Sequence, residues 1–201
     1  MAYLQNCHRA WLLSSWQIVI DRYPKLCEKI RIGTHPYDFT GGLGWRNFMI
    51  LDEQGDYLVK ANSVWLYLDT ESGRPVRPDE KEMALYGSEE RLPMEYAPRK
   101  LVMPKDLCEK EPIPVRPHHL DTNHHVNNVQ YVEIARELLP ADLVVRELRV
   151  EYRSQARLGD VLYPGVGYRD GWYYVGLNNE KGRCYAAVAL RAEQAAVNRH
   201  I

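Results

Sequence analysis

Residues 126–139 have the apolar pattern of a helix that is buried over most of its surface. The apolar positions at helical spacing are Val126, Val129, Val132, Ala135 and Leu139. Polar residues at 127, 130, 133 and 137 leave only a narrow stripe for solvent. Pro140 ends the pattern, because proline lacks the N–H that a continuing helix needs. Such a helix must pack against a sheet or against other helices.

The rest of the chain is dominated by strand patterns, which come in two similar sets. Each half has a strand, a break, a strand, a tight Gly turn, a strand, a second Gly turn and a strand. The predicted strands are 11–20, 30–34, 45–51 and 57–68, then 148–153, 160–168, 172–177 and 183–192. We therefore predict two domains, residues 1–99 including a linker from residue 73, and residues 100–201.

Composition limits the function classes. The chain has 201 residues, 45% of them hydrophobic, and a net charge of −1, so it can form a core but has no basic excess for nucleic acid. No apolar run approaches the length needed to cross a membrane, and residues 1–5 do not resemble a signal peptide. The four cysteines are scattered, which is typical of reduced thiols. These features predict a cytoplasmic protein.

A polar stretch precedes the helix and carries the candidate chemistry. Asp121, Asn123 and His125 are spaced two apart, and an extended segment would point all three side chains the same way. The helix start adds N–H groups and a partial positive charge that favour an oxyanion. An acid, an amide and an imidazole there can activate water. The spacing equally allows Asp121 or Asn123 to be a simple helix cap.

Two other chemistries are less favoured. His118, His119, His124 and His125 are potential metal ligands, but adjacent histidines usually diverge and no carboxylate–histidine spacing typical of metal sites is present. Cys108 or Cys184 is a potential nucleophile, yet nothing in the pattern brings either near His125. We predict neither a metal nor a cofactor.

The segment 121–131 resembles the signature of acyl-acyl-carrier-protein thioesterases, both the plant enzymes and their bacterial relatives. Segments 45–48 and 61–69 are similar to strands of that family. The resemblance implies an α+β tandem hotdog fold, in which each antiparallel sheet wraps around a long helix. It also implies hydrolysis of fatty acyl-acyl carrier protein in fatty acid biosynthesis, with the partner carrying its acyl chain on phosphopantetheine. An acyl-coenzyme A thioesterase, a non-catalytic acyl-binding hotdog protein and a homodimer stay open.

Carried over residue by residue, the resemblance places Asp121, Asn123 and His125 on the family's catalytic acid, amide and histidine. Plant members have Glu followed by Cys after the next strand, where this chain has Gln155 and Ala156. That difference argues against a thiol nucleophile. Gln155 can hold a water by hydrogen bonds but cannot take its proton, so the resemblance leaves Asp121 or His125 as the base.

The chain also differs from the family pattern near its first strand. The family has a long helix before the strand that resembles residues 10–13, whereas only residues 6–9 stand there. We therefore expect the protein itself to contain further residues between about Gln5 and Ala10. In a structure of this sequence, their absence should be visible as a break in the backbone. Without that helix, apolar side chains should line an uncovered sheet face. They are Trp11, Leu12, Leu13, Trp16, Ile18 and Ile20.

Overall fold

The computed structural model describes residues 8–193. The chain divides into two compact units, Met1–Lys100 and Leu101–Ile201. Among residues 8–193, no helix combines the length and the apolar character needed to cross a membrane.

The first unit is built on a four-stranded antiparallel sheet in the order β2-β3-β4-β1. Its strands are β1 (Arg9–Ile20), β2 (Arg31–Thr40), β3 (Leu43–Leu51) and β4 (Tyr57–Asp69). Gly41 and Gly42 make the tight turn between β2 and β3. Gly41 has a φ of 68°, which favours glycine, and a Cβ on Gly42 would lie 2.7 Å from the Val76 carbonyl oxygen.

Within residues 8–100 the structure describes one helix, the short α1 (Glu80–Tyr86). Asp79 and Glu82 form a reciprocal capping box at its start. The buried Glu82 carboxylate also accepts a hydrogen bond from the hydroxyl of Tyr67. At the other end of α1, the ring of Tyr86 contacts Trp11. The long helix implied by the resemblance is not present in residues 8–100.

Leu12 is wrong as a member of the expected face, whereas the other five residues share one side of the sheet because they pair with alternate residues of β4; they are Trp11, Leu13, Trp16, Ile18 and Ile20. Trp11 pairs with Tyr67 and Leu12 with Leu66, so these neighbours point to opposite sides of the sheet. The register shift between Leu13 and Ser15 places Trp16 and Ile18 on the same side of the sheet as Trp11, because they pair with Ser63 and Ala61. Trp11 is also covered, because its ring contacts Phe39, Tyr67 and Tyr86. Trp16 and Ile18 are half-buried.

The expected backbone break falls partly on residues 5–7, which lie outside the described residues. From His8 onward the chain is tied to the sheet. The His8 carbonyl accepts from the Thr70 N–H at 2.9 Å, and Arg9 pairs with Asp69 in the β1–β4 register.

Residues 88–99, which we call the strap, follow α1 and are held on the first sheet by buried polar side chains. The amide of Gln17 donates to the Glu95 carbonyl (3.0 Å) and accepts from the Ala97 N–H (2.8 Å). Asn47 accepts from the Leu92 N–H at 3.1 Å. The strap has no regular secondary structure, but these three hydrogen bonds anchor it to the first sheet.

The second unit has its own antiparallel sheet, in the order β7-β10-β9-β8-β5, with β6 also paired to β8. A short 3₁₀ turn lies at Pro117–His119. The elements are β5 (Cys108–Glu109), β6 (Ile113–Pro114), α2 (Asn128–Glu137), β7 (Val145–Tyr152), β8 (Val161–Arg169), β9 (Trp172–Asn178) and β10 (Cys184–Ala192).

Helix α2 packs on strands β9 and β10. Its buried side chains are Tyr131, Ile134 and Ala135, and the sheet provides fully buried apolar residues such as Val175 and Val188. Burying each large apolar side chain stabilises the unit by about 1.5–3 kcal/mol. The predicted helix at 126–139 is therefore confirmed, although it is shorter at both ends.

Glycines in the second sheet allow a close approach by the segment that precedes β5. Leu107 lies against Gly165, Gly167 and Gly176. A Cβ on Gly165 would lie 3.0 Å from the Cβ of Leu107, and one on Gly167 would lie 2.8 Å from its Cδ2. Side chains at positions 165 and 167 would crowd Leu107, whereas the nearest contact of a Cβ at Gly176 would be an ordinary 3.5 Å.

Candidate active site

The loop from Asp121 to His125 is a closed turn. The Asp121 N–H donates to the His125 carbonyl at 2.8 Å, and the His124 N–H donates to the Asp121 carbonyl at 3.1 Å. His124 has a φ of 60°, in the left-handed region that few side chains adopt. The expectation of an extended segment with three parallel side chains is therefore wrong, because the chain reverses within the motif.

Asp121 and its hydrogen bonds hold this turn together. The carboxylate oxygen Oδ1 accepts from the N–H groups of Asn123 (2.8 Å) and His125 (3.2 Å). Asp121, Asn123 and His125 are thus brought together by hydrogen bonds and not by strand alternation.

The same contacts set the ionisation of Asp121. Partial burial acts to raise the pKa of its carboxyl group. Hydrogen bonds from the His125 and Asn123 N–H groups and from the Asn123 side chain, together with the nearby His125, outweigh burial and lower the pKa below its usual value. The carboxylate is therefore firmly ionised at neutral pH and is a weak proton acceptor.

The helix cap is a different residue from the two considered above. The side chain of Asn127 accepts from the Val129 N–H (3.0 Å), and its carbonyl accepts from the Gln130 N–H (2.9 Å). The alternative that Asp121 or Asn123 caps α2 is therefore wrong. The Asn127 N–H itself donates to the His119 carbonyl at 2.8 Å, so several N–H groups near the helix start are already occupied.

A short antiparallel pairing joins this loop to the segment after β7. His125 pairs with Arg157, and the Val126 N–H donates to the Ala156 carbonyl at 2.9 Å. Val126 is 3% exposed and Ala156 is 0% exposed, so these two point into the core. Because side chains alternate along a strand, His125, Gln155 and Arg157 lie on the opposite, open side.

Gln155, the fourth residue that the sequence analysis assigned to the site, thus lies on the same side of this pairing as His125, and its side chain is exposed. Gln155 lies two residues before Arg157, the residue that pairs with His125. Arg157 was not predicted from the sequence. It faces His125 across a non-hydrogen-bonded pair, in which side chains approach closely. No local sequence signal indicated it, because its place depends on the pairing with His125.

The neighbouring His119 is hydrogen-bonded to the backbone of the segment before this loop. His119 is buried, and its Nδ1 accepts from the Arg116 N–H at 3.1 Å. Burial, followed by the charges of His118 and Arg116, lowers the pKa of His119, so this ring is neutral at neutral pH. Within residues 8–193, no group of three or more His, Cys, Asp or Glu side chains has an arrangement suited to a metal ion.

Among the residues that the structure describes, no hydrogen bond and no strand pairing connects a cysteine to this loop. Cys27 and Cys108 are exposed. Cys184 is half-buried beside Leu101 and Ala187, and burial raises the pKa of its thiol. A thiol with a raised pKa is a poor nucleophile at neutral pH.

Two sheet units in one chain, the second packed on a helix whose leading loop carries the candidate site, define a tandem hotdog protein. Solved structures share this fold. An acyl-ACP thioesterase from Bacteroides thetaiotaomicron matches with a TM-score of 0.85 and 22% identity, covering 96% of this chain and 80% of that one. The 12:0-ACP thioesterase from Umbellularia californica matches with a TM-score of 0.82 and 16% identity, covering 95% and 78%.

Models of protein families match both halves of the sequence. The acyl-ACP thioesterase N-terminal domain matches residues 1–86, and the acyl-ACP thioesterase C-terminal domain matches residues 103–188. The chain belongs to the acyl-ACP thioesterase family. The resemblance and the tandem hotdog fold drawn from the sequence are confirmed.

Curated relatives are longer than this chain. A chloroplastic palmitoyl-acyl carrier protein thioesterase from Cuphea hookeriana is 28% identical over 167 residues, which cover 76% of this chain and 39% of the relative. The chloroplastic oleoyl-acyl carrier protein thioesterase 1 from Arabidopsis thaliana is 29% identical over 175 residues, covering 79% and 48%. The chain spans less than half the length of these two relatives.

Proposed function

We propose that this protein hydrolyses fatty acyl-acyl carrier protein to a free fatty acid and the carrier protein. The observation that carries the proposal is the closed loop at the start of α2. It groups Asp121, Asn123 and His125 within the part of the chain that matches the C-terminal family domain. The names of the relatives supply the substrate class, an acyl chain in thioester linkage to a carrier protein.

His125 is the general base in this proposal. Asp121 is a poor candidate, because hydrogen bonds to its carboxylate lower the pKa of the group. Instead, Asp121 binds the His125 N–H and fixes the backbone on which the imidazole stands. Its negative charge also stabilises the imidazolium that forms when His125 takes a proton.

The reaction needs only water as a second substrate. His125 removes a proton as the water oxygen bonds to the acyl carbon, and Gln155 holds that water by hydrogen bonds. The carbonyl oxygen becomes an oxyanion, for which the Asn128 N–H and the positive end of α2 are the donors we assign. The carbon–sulfur bond then breaks, and the thiolate of the phosphopantetheine arm receives the proton from His125. No step uses a cofactor.

Purified protein tests the proposal against a panel of acyl-acyl carrier proteins and the matching acyl-coenzyme A thioesters. We expect release of fatty acid, with higher kcat/KM on the carrier-protein substrates, and loss of turnover in folded His125→Ala protein. Equal or better turnover of the coenzyme A thioesters would favour the acyl-coenzyme A alternative. Saturable acyl binding without turnover would make it a non-catalytic acyl-binding protein.

Two further experiments test the remaining expectations. Sedimentation of the same sample tests a homodimer, and cell fractionation tests the cytoplasmic location.

A further inference from the structure

A buried tyrosine on α2 reaches across to the segment that carries Gln155. Tyr131 is 2% exposed, and its hydroxyl oxygen accepts a hydrogen bond from the Ala156 N–H at 2.9 Å. Burial raises the pKa of Tyr131 to about 12, so the group stays a neutral phenol at any physiological pH. Tyr131 therefore links the second turn of the helix to the residue next to Gln155.

This hydrogen bond replaces one that regular sheet pairing would make. The Val126 N–H donates to the Ala156 carbonyl, and in a regular antiparallel pair the Ala156 N–H would donate back to the Val126 carbonyl. Here that N–H points to Tyr131 instead. Both polar backbone atoms of Ala156 are thus bound, one by the loop that leads into α2 and the other by a side chain of α2.

The Ala156 N–H and the Gln155 carbonyl belong to the same planar peptide group. Fixing the direction of that N–H therefore fixes the orientation of the backbone at Gln155. Gln155 is exposed and lies on the open side of the pairing with His125, where packing against neighbours does little to hold it. The hydrogen bond to Tyr131 therefore holds Gln155 through its backbone and not through its side chain.

We propose that Tyr131 is a positioning residue, which acts on the reaction through Gln155. This inference rests on the proposed function. Without the hydroxyl, the Ala156 N–H would be buried with no acceptor at Tyr131, and the peptide group would turn toward another partner. Gln155 would then hold its water off the line of attack, and small displacements of a reacting group lower rates steeply.

The test begins with Tyr131→Phe, which removes the hydroxyl and keeps the ring. We expect kcat on acyl-acyl carrier protein to fall by roughly tenfold or more, with KM changed by less than about twofold. The matched control is Tyr96→Phe in the first unit. Tyr96 also has a partly buried hydroxyl, which donates to the Leu92 carbonyl at 3.1 Å. The Tyr96→Phe variant should lose stability without a fall in kcat.

A double variant separates positioning from a general loss of structure. In a Gln155→Ala background, adding Tyr131→Phe should change kcat by less than about twofold, because the group that Tyr131 positions is already gone. Multiplication of the two losses would overturn the proposal, as would wild-type kcat in Tyr131→Phe. If Tyr131→Phe does not fold, 3-fluorotyrosine at position 131 weakens the acceptor with little change of shape. The expected result is then a smaller fall in kcat, and an unchanged kcat would contradict the proposal.

The outcomes also separate this inference from the proposed function. Wild-type protein that turns over no acyl thioester would defeat both. Wild-type turnover that His125→Ala abolishes and Tyr131→Phe leaves intact would defeat only the role of Tyr131.

Discussion

Replacing Asp121 by Asn separates the charge of this residue from its structural role. The amide oxygen of an Asn can still accept from the Asn123 and His125 N–H groups, which Oδ1 of Asp121 accepts at 2.8 and 3.2 Å. The turn should therefore persist while the negative charge is lost. Asp121→Ala is the matched comparison, because it removes both the charge and the acceptor.

We expect Asp121→Asn to lower kcat at least about a hundredfold, which corresponds to about 2.7 kcal/mol of lost transition-state stabilisation. The physical reason is that no carboxylate then stabilises the protonated His125. Asp121→Ala should lose as much activity and in addition about 1–2 kcal/mol of stability, because the turn loses the acceptor of two N–H groups. His125→Ala should also lose at least about a hundredfold in kcat.

The pH dependence of stability gives an independent check. Because the pKa of Asp121 is lower in the folded protein than in the unfolded chain, its ionised form stabilises the fold at a pH above the unfolded value of about 3.9. That contribution is lost as pH falls through the folded pKa. The difference in Tm between wild type and Asp121→Asn should therefore shrink on acidification below about pH 4.

The assay is release of fatty acid from acyl-acyl carrier protein, measured alongside circular dichroism and thermal unfolding of each variant. Near-normal turnover by Asp121→Asn and His125→Ala proteins with intact folds would refute the site assignment. A full loss of activity in Asp121→Ala together with normal activity in Asp121→Asn would assign Asp121 a structural role alone.

Three further predictions concern the cysteines, a buried amide of the first sheet and a glycine of the second sheet. Replacing all four cysteines of the chain by Ser or Ala should leave hydrolysis intact, whereas a trapped acyl-cysteine or an inactive folded variant would contradict a water-based reaction. Asn47→Leu should destabilise the protein by about 2–5 kcal/mol in denaturant titrations, because the Leu92 N–H and Ala61 carbonyl lose a buried partner. Gly167→Ala should cost about 1 kcal/mol, because the new Cβ would lie 2.8 Å from Cδ2 of Leu107; combined with Leu107→Ala, which removes that atom, the two losses should be less than additive, and additive losses would argue against the contact.

Local pattern was enough to predict most of the elements. The eight longer strands and helix α2 follow from apolar periodicity, because burial decides which face of each element is apolar. The two-residue strands β5 and β6 were not predicted, since they are too short to show a period. The turn at 122–124 was missed, since it depends on carboxylate hydrogen bonds and on a left-handed conformation at His124. Alternation alone does not reveal such a turn.

The roles of Arg157 and Tyr131 are not local properties at all. Arg157 joins the site because His125 pairs with it, and Tyr131 because its hydroxyl accepts from Ala156. Both relations depend on which segments meet in the folded chain. The family resemblance supplied Gln155 by position, but it gave no reason for the backbone there to be held.

The anchoring of the strap bears on the order in which the parts of the first unit form. Leu92 lies 45 residues from its partner Asn47, and Ala97 lies 80 residues from Gln17. Loops of this length must close before these bonds form, and contacts between residues far apart in sequence slow folding. Until the strap docks, the amides of Asn47 and Gln17 lack these partners on the first sheet. Docking of the strap should therefore be a late step, and variants such as Gln17→Ala should mainly speed unfolding while changing the folding rate little.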